Sequence, residues 1–472
     1  MIGLLAWAWL FTLPGLVLTA LGVPHGQRRA GYASLPGPIV LLLVALAALV
    51  SGGSASVVFD NWLPFLPDGA FRALADPLSA LMLAIVGFVA TLVYIYSLGY
   101  LADDAGRRRF FVYLDLFVAT MALLVLAGNL AVLLIGWTGV GISSFLLITF
   151  YRNRDTLGAG LQALAANAVG DGALLLAATI VPTGCGALVT LDTPACTSGA
   201  GGVGLLALLL FIAAAAKSAQ GPLYFWLPNA MAGPTPISAL IHAATMVAAG
   251  VYLLVRTHAL LAQSVEVSQA IAIIGVATAI GASVGSLLQS NFKKGIAYST
   301  VAQLGYMFAA VGVGAPFAGL FHLFTHASFK ALLFLAAGIV IHGAGGRESL
   351  AGLRGLGRFF PFSRWGFLIG SLALIGTPIV TAGAFSKDAI IDAALASHTT
   401  YGPLVGWLLL AAVTLTGLYI GRLFSIVYLA PPVDAHAVHH DPEAEQPMNW
   451  SLVPLMVGSI AFGYLGTWLE SR

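Results

Sequence analysis

The chain has 472 residues, of which 59% are hydrophobic and only 8% charged, whereas a soluble domain carries roughly a quarter charged residues. That much apolar surface cannot be hidden from water, so a soluble fold is excluded; with ~20 residues per membrane span, little length remains for a soluble catalytic head. A formal net charge of +2, with Lys and Arg scattered along the chain, also excludes nucleic-acid binding.

In chain order, apolar runs fall at about 2–23, 36–52, 78–100, 111–127, 129–150, 157–181, 203–227 and 236–255. Six more follow, at about 267–289, 297–314, 316–341, 365–390, 402–430 and 449–468. They predict an all-α polytopic membrane protein of about 14 transmembrane helices. The first run lacks the basic flank and cleavage pattern of a signal peptide and reads as a retained span. Asp76, just before Pro77, reads as a cap on the third span. Cys185 and Cys196 share a Gly- and Thr-rich loop at 182–202, either as a disulfide staple or as two free thiols, with no nearby His to make a metal site. The stretch from His436 to Glu445 reads as a solvated loop.

Lys and Arg are retained on the cytoplasmic side of membrane spans. Loops after odd-numbered runs hold Arg28, Arg29, Arg107, Arg108, Arg109, Arg152, Arg154, Lys293, Lys294, Arg347, Arg354, Arg358 and Arg364, against Arg72, Arg256 and Arg472 on the other side. One missed span would scramble that parity, so the split supports the run count too. It predicts a bacterial inner-membrane protein with both termini outside the cytoplasm.

Of the 20 basic residues, Lys217, Lys330, Lys387 and Arg422 are left inside the runs. Charge at bilayer depth costs roughly 2.5–3.5 kcal/mol on insertion scales, so each needs a partner or a hydrated interior; Lys387 and Arg422 are close enough to helix ends to snorkel. Lys217 precedes Pro222 in FIAAAAKSAQGPLYFWLP, and Lys387 follows Pro378 in TPIVTAGAFSKD. Proline removes a backbone donor, so spans 7 and 12 are each expected to break beside a lysine. Paired broken helices point to a transporter's ion path. Seven and twelve differ by an odd number, so a repeat relating spans 4–8 to spans 9–13 must be inverted across the membrane. The predicted organisation is 1–110 (helices 1–3), 111–256 and 267–430 (the two five-helix repeats), and 431–472 (a loop and helix 14).

In FHLFTHASFKALLFL, His322, His326 and Lys330 recur at i, i+4 and i+8 and stack on one helical face. A lysine away from water can release its proton, and histidine titrates near neutrality, so the stripe suits a proton wire. His242 stands alone in ISALIHAATM. Asp171, within NAVGDGALLLA, is the natural counter-charge for Lys217. Asp388 adjoins Lys387, but adjacent helical residues point apart, so it serves another group or a water-filled exit. Asp115, in FVYLDLF, falls at the cytoplasmic start of span 4. No phosphate loop, haem-attachment pattern, Cys cluster or nucleophile elbow is present, so no cofactor or metal is expected on this chain.

DPLSALML from Asp76, GWTGVGISSFLLITFY from Gly136 and KSAQGPLYFWLPNAMAGPTPISALIHAATMVAAGVYL from Lys217 resemble the proton-conducting antiporter family. So do KKGIAYSTVAQLGYMF from Lys293, FHLFTHASFKALLFL from Phe321 and TPIVTAGAFSKD from Thr377. That family includes subunit L of bacterial complex I and the largest subunit of Mrp-type cation/proton antiporters. The resemblance implies inverted five-helix repeats and a central polar line in which Lys217, His242, His322, His326, Lys330 and Lys387 relay protons, driven by a partner such as a quinone-reducing module.

Two departures stand out. The family has a glutamate after the Gly-Trp of span 5, where this chain has Thr138. A threonine holds no negative charge against Lys217, so Asp171 or Asp115 takes over, or the usual cycle is lost. Subunit L also continues into further spans and a lateral helix. The leading expectation is a proton-translocating subunit of a complex I-like NADH/quinone oxidoreductase, with other membrane subunits as partners and protons or Na+ as cargo. The alternatives are the membrane subunit of a proton-gradient-driven inorganic carbon uptake complex and an Mrp-type antiporter subunit.

Overall fold

The computed structural model describes residues 1–23, 29–60, 62, 71–180, 202–433, 438 and 442–471. Cys185, Cys196, His436, His439 and His440 lie outside the described residues. The protein is a polytopic helical membrane protein, and each predicted run meets a helix or a broken helix pair. The α-helices of eight or more residues are α1 Leu13–Ala20, α2 Pro36–Ser51, α3 Pro77–Tyr100, α4 Arg107–Val125, α5 Leu130–Ile148 and α6 Arg154–Thr179. They continue with α7 Val203–Lys217, α8 Thr235–Ala243, α9 Met246–Arg256, α10 Val265–Leu288, α11 Phe292–Gly312 and α12 Pro316–Gly343. The last are α13 Pro361–Ile375, α14 Ala382–Leu395, α15 Gly402–Phe424 and α16 Pro442–Ala461. Among the described residues, eight helical segments are long and apolar enough to cross a membrane unaided.

Local chemistry sets many of the helix starts. Asp76 and Asn153 form capping boxes with Ser79 and Thr156, and Asn129 and Asn291 accept from Val132 and Lys294, satisfying donors that a helix leaves open at its first turn. Asp76 is therefore the cap expected from the sequence. Close packing relies on small residues: a Cβ on Gly305 of α11 would lie 2.5 Å from the Gly275 carbonyl of α10, and one on Gly312 would lie 2.4 Å from the Ala272 nitrogen. Without a hydrophobic drive between helices in lipid, such close backbone approach is what holds them together. The α8–α9 pair is buried throughout and α12 nearly so, with the other helices around them.

The structure adds two features to the helical reading. A short antiparallel hairpin pairs β1 Ala55–Phe59 with β2 Phe71–Ala75 in the register Ala55↔Ala75, and Leu74 N–H donates to Leu126 O at the end of α4. Span 8 is also broken, at Ala244 and Thr245 between α8 and α9.

Arg256, expected in a loop, ends α9 with its side chain buried. It donates two hydrogen bonds to the Asp76 carboxylate and two to Tyr252 Oη, which in turn donates to Val125 O at 2.6 Å. One guanidinium thus ties together the ends of α3, α4 and α9. Burial alone raises the Asp76 carboxyl, but hydrogen bonds from Arg256 and Ser79 outweigh it and hold the group below its ordinary value. The stabilisation from a depressed carboxyl is full above the unfolded value near pH 4 and fades as pH falls below it. Arg256→Leu is expected to cost about 3 kcal/mol, because it leaves a largely buried carboxylate unpaired. Asp76→Ala combined with Arg256→Leu should cost less than the two single changes added. Denaturation of the purified chain in detergent reads both.

Candidate functional site

The first half of the site grows from the end of α7. The helix stops at Lys217, and the chain passes through Ala219, at φ 50°, and Gly221–Pro222 before turning again at Leu223–Phe225. Groups freed by the break are taken up locally: Trp226 Nε1 donates to Ala216 O at 3.1 Å, Gln220 Nε2 to Ser218 O at 2.9 Å, and Gly221 N to Thr278 Oγ1 at 3.0 Å. Such repair is required of irregular backbone at membrane depth. Lys217 is fully buried; its Nζ donates to Trp137 O at 3.0 Å, lies 5.1 Å from the Trp137 ring centre, and sits 3.7 Å from Asp171 Oδ1. The expected pairing of Lys217 with Asp171 across the α6–α7 interface is therefore present in the geometry.

The second half grows from α12 and the broken pair α13–α14. Lys330 is buried and donates to Ser299 Oγ and Ile296 O of α11. One turn and two turns back on the same face, His326 and His322 stand with ring centres 6.2 Å apart. His322 Nε2 contacts Gln303 Oε1 at 3.1 Å and its Nδ1 contacts Ser386 Oγ at 2.9 Å. A neutral imidazole that donates from Nε2 to the Gln303 oxygen and accepts from Ser386 at Nδ1 satisfies both contacts. Ser386 is the neighbour of Lys387, whose Nζ donates to Leu374 O and Ile375 O, the last carbonyls of α13, and lies 5.2 Å from the Tyr306 ring centre. The cation thus sits at the negative end of a helix dipole.

His242, in the last turn of α8, joins the halves. It is buried, its ring centre is 4.8 Å from that of Phe334, and neither ring nitrogen makes a hydrogen bond among the described residues. The ring nitrogens of His326 are likewise buried without a hydrogen bond among the described residues. Lys330 and Lys293 are both within electrostatic reach of His242, as Lys387 is of His322. Lys217, His242, His322, His326, Lys330 and Lys387 are all buried. Three ammonium groups therefore rest on main-chain carbonyls, and among the described residues only Lys217 also has a carboxylate beside it.

Some predicted positions fall elsewhere. Asp115 is not at an interface and does not meet Lys217. It is fully buried on α4, where Ser34 Oγ donates to it at 2.5 Å and Tyr94 Oη at 2.8 Å. Asp388 is exposed, and among the described residues its carboxylate makes no salt bridge with Lys387, the adjacent residue of the helix. Arg422 is half-buried and donates to Gln289 O at 2.9 Å. Thr138 is half-buried beside Trp137, whose carbonyl, not its own side chain, meets Lys217. Pro222 and Pro378 both lie in the breaks they were expected to cause. Sequence reasoning missed Ser299, Gln303 and Ser386, which touch the line. Their signal was weak, since a lone Ser or Gln in a span ordinarily bonds its own helix. It also assigned Lys293 to a loop, whereas the structure buries it in the first turn of α11.

Residues 127–418 match the NADH:quinone oxidoreductase/Mrp antiporter transmembrane family, and residues 68–111 match the N-terminal region of complex I chain 5. The chain is 41% identical to NADH-ubiquinone oxidoreductase chain 5 of Cryptococcus neoformans, over 88% of this chain and 63% of that one. It is 38% identical to NADH-quinone oxidoreductase subunit L of Pseudomonas aeruginosa, over 92% of this chain and 73% of that one. To subunit L of Escherichia coli it is 43% identical, over 78% of this chain and 61% of that one. It thus spans about two-thirds of the length of these relatives. A chain in the structure of the Mrp complex from a Dietzia species superposes with a TM-score of 0.82 at 28% identity, covering 96% of this chain and 52% of that one. Sequence match and fold agree: the chain belongs to the NADH:quinone oxidoreductase/Mrp antiporter transmembrane family.

Proposed function

We propose that this chain translocates protons across a bacterial inner membrane as the antiporter-like subunit of a complex I-like NADH/quinone oxidoreductase. The observation that carries this reading is the line of buried ammonium groups resting on main-chain carbonyls, with histidines between them. An ammonium held by carbonyl dipoles can pass its proton to a neighbouring imidazole without leaving a bare carboxylate behind. Lys217 is different, because Asp171 favours its charged form. Movement or neutralisation of Asp171 releases that proton, and Asp171 thereby does what the missing carboxylate at Thr138 would do. The proton goes on through His242 to Lys330, past His326 and His322 to Lys387, and leaves beside the exposed Asp388.

In this reading the chain binds no cofactor or metal, and the energy-yielding chemistry belongs to partner subunits in the bilayer. Residues 111–256 and 267–430 act as inverted repeats, flanked by 1–110 and 431–472, and both termini face away from the cytoplasm. An Mrp-type cation/proton antiporter subunit is the second reading, favoured by the superposition on the Mrp complex chain. The inorganic carbon uptake reading rested on Thr138 and on the difference in length from subunit L, and in the present reading Asp171 supplies the charge lacking at Thr138.

The native assembly, purified in mild detergent and reconstituted in liposomes, tests the proposal through a dye report of the pH gradient during NADH oxidation. Lys330→Leu is expected to lower proton translocation about 100-fold with the assembly intact; an unchanged rate would remove the relay. Gradient formation that requires Na+ would favour the Mrp reading.

The two carboxylates are expected to separate in the same assay. Asp171→Asn should slow translocation roughly tenfold. Asp115→Asn should stay within about twofold, because its partners, Ser34 and Tyr94, are neutral hydroxyls: the amide oxygen accepts from one, and the other turns to accept from the amide nitrogen.

A further inference from the structure

Lys293 is among the buried cations that play no part in the relay above. Lys293 Nζ donates to Met231 O at 2.7 Å and Gly233 O at 3.0 Å, and pairs with Glu348 Oε1 at 3.0 Å. A main-chain lysine cradle of this kind is what Lys217 and Lys387 also have. The Glu348 carboxylate, about one-third exposed, is held by Asn291 Nδ2 at 3.0 Å, and its backbone is pinned by Phe292 N donating to Glu348 O at 2.8 Å. On its outer side Glu348 lines a cavity of about 540 Å³ with Arg154, Asp155, Gln162, Asn229 and Lys294. Arg154, Asp155 and Lys294 lie in first turns of helices, and Arg154 and Lys294 are among the basic residues that mark this face. On its inner side, Lys293 and Ser299, a partner of Lys330, are six residues of α11 apart, about 9 Å. Lys293 is also within electrostatic reach of His242.

We propose that this cavity is the intake through which protons reach the buried line from the cytoplasmic face, with Glu348 as the outer acceptor and Lys293 as the inner donor. The inference rests on the relay reading above and names where the relay is loaded. Lys293 gives a proton inward to the neutral imidazole of His242 and becomes an amine. The Glu348 carboxylate then takes a proton from a hydronium in the cavity, leaving water, and the resulting carboxyl passes that proton to the amine. Each step moves one proton, and the pair returns to ammonium and carboxylate. Arg154, Asp155 and Lys294 are the other charged groups facing the cavity. Their mixed signs leave the cavity mouth without a strong repulsion for a proton.

The test uses the native assembly in sealed inside-out vesicles, where the basic-loop face is outermost. Gly158 lines the cavity, and a side chain there would meet open space. Gly158→Cys should therefore assemble and pump normally until a membrane-impermeant, positively charged thiol reagent is added. Added from outside the vesicles, the reagent is expected to slow translocation at least tenfold; added on the opposite face of right-side-out vesicles, it is expected to have no effect. Glu348→Gln should slow translocation to a similar degree while Glu348→Asp retains most of it, a split that a merely structural role would not produce. If labelled Gly158→Cys and Glu348→Gln both pump at the unmodified rate while Lys330→Leu is inactive, the intake lies elsewhere and this proposal falls alone. If Lys330→Leu also pumps normally, relay and intake fall together.

Discussion

A charged amine inside a membrane must be solvated by something, and in this fold the backbone does it. Lys217 sits on the Trp137 carbonyl, Lys330 on Ile296, and Lys387 on the last two carbonyls of α13. A carbonyl inside an intact helix keeps one lone pair after bonding the amide four residues on, and Lys217 and Lys330 use that lone pair at Trp137 of α5 and Ile296 of α11. Breaking α13 from α14 at Gly376 frees the two that Lys387 takes. The break in span 7 does the converse: it ends α7 at its own lysine and lets that side chain turn toward Trp137. At Lys387 the cost of interrupting a helix in lipid is thus offset by the solvation of a cation.

The arrangement differs from a network of buried salt bridges. A salt bridge fixes charge in place, because removing either member leaves the other stranded at a cost of several kcal/mol. A carbonyl dipole imposes no such penalty when the ammonium becomes an amine. Along this line only Lys217 has a carboxylate at hand among the described residues, Asp171 at 3.7 Å. That places the charge-coupled step at one end and the more freely exchanging groups at the other. Lys293, tied to both Glu348 and two carbonyls, combines the two kinds of partner at the edge of the membrane.

Much of this was legible in the sequence because the signals were strong ones. Long apolar runs, four basic residues inside them, prolines near two of these and a histidine–histidine–lysine stripe are difficult to produce by packing alone. The Lys217–Asp171 pairing also followed, since two opposite charges in neighbouring spans have few other partners. Asp115 went the other way. Its aspartate looked like any interfacial acid, and only the fold brings Ser34 and Tyr94 to it from other helices. Lys293 and Arg256 were read as loop cations because each lies at the edge of an apolar run, where one turn of helix separates an exposed side chain from a buried one. The break between α8 and α9 has no proline within it, so no local residue announced it. The β1–β2 hairpin lies between apolar runs and is too short to register as a period-2 pattern.

The account turns on whether the buried lysines change protonation state during turnover. Solid-state NMR of the assembled complex in lipid, with lysine side-chain nitrogen labelled and each buried signal assigned by Lys→Arg substitution, observes this directly. The account predicts that the Nζ signals of Lys330 and Lys387 gain an amine component when the assembly is energised and lose it when the driving reaction stops. Nζ signals that remain ammonium, at rest and during turnover alike, would contradict it and leave these residues as fixed structural cations.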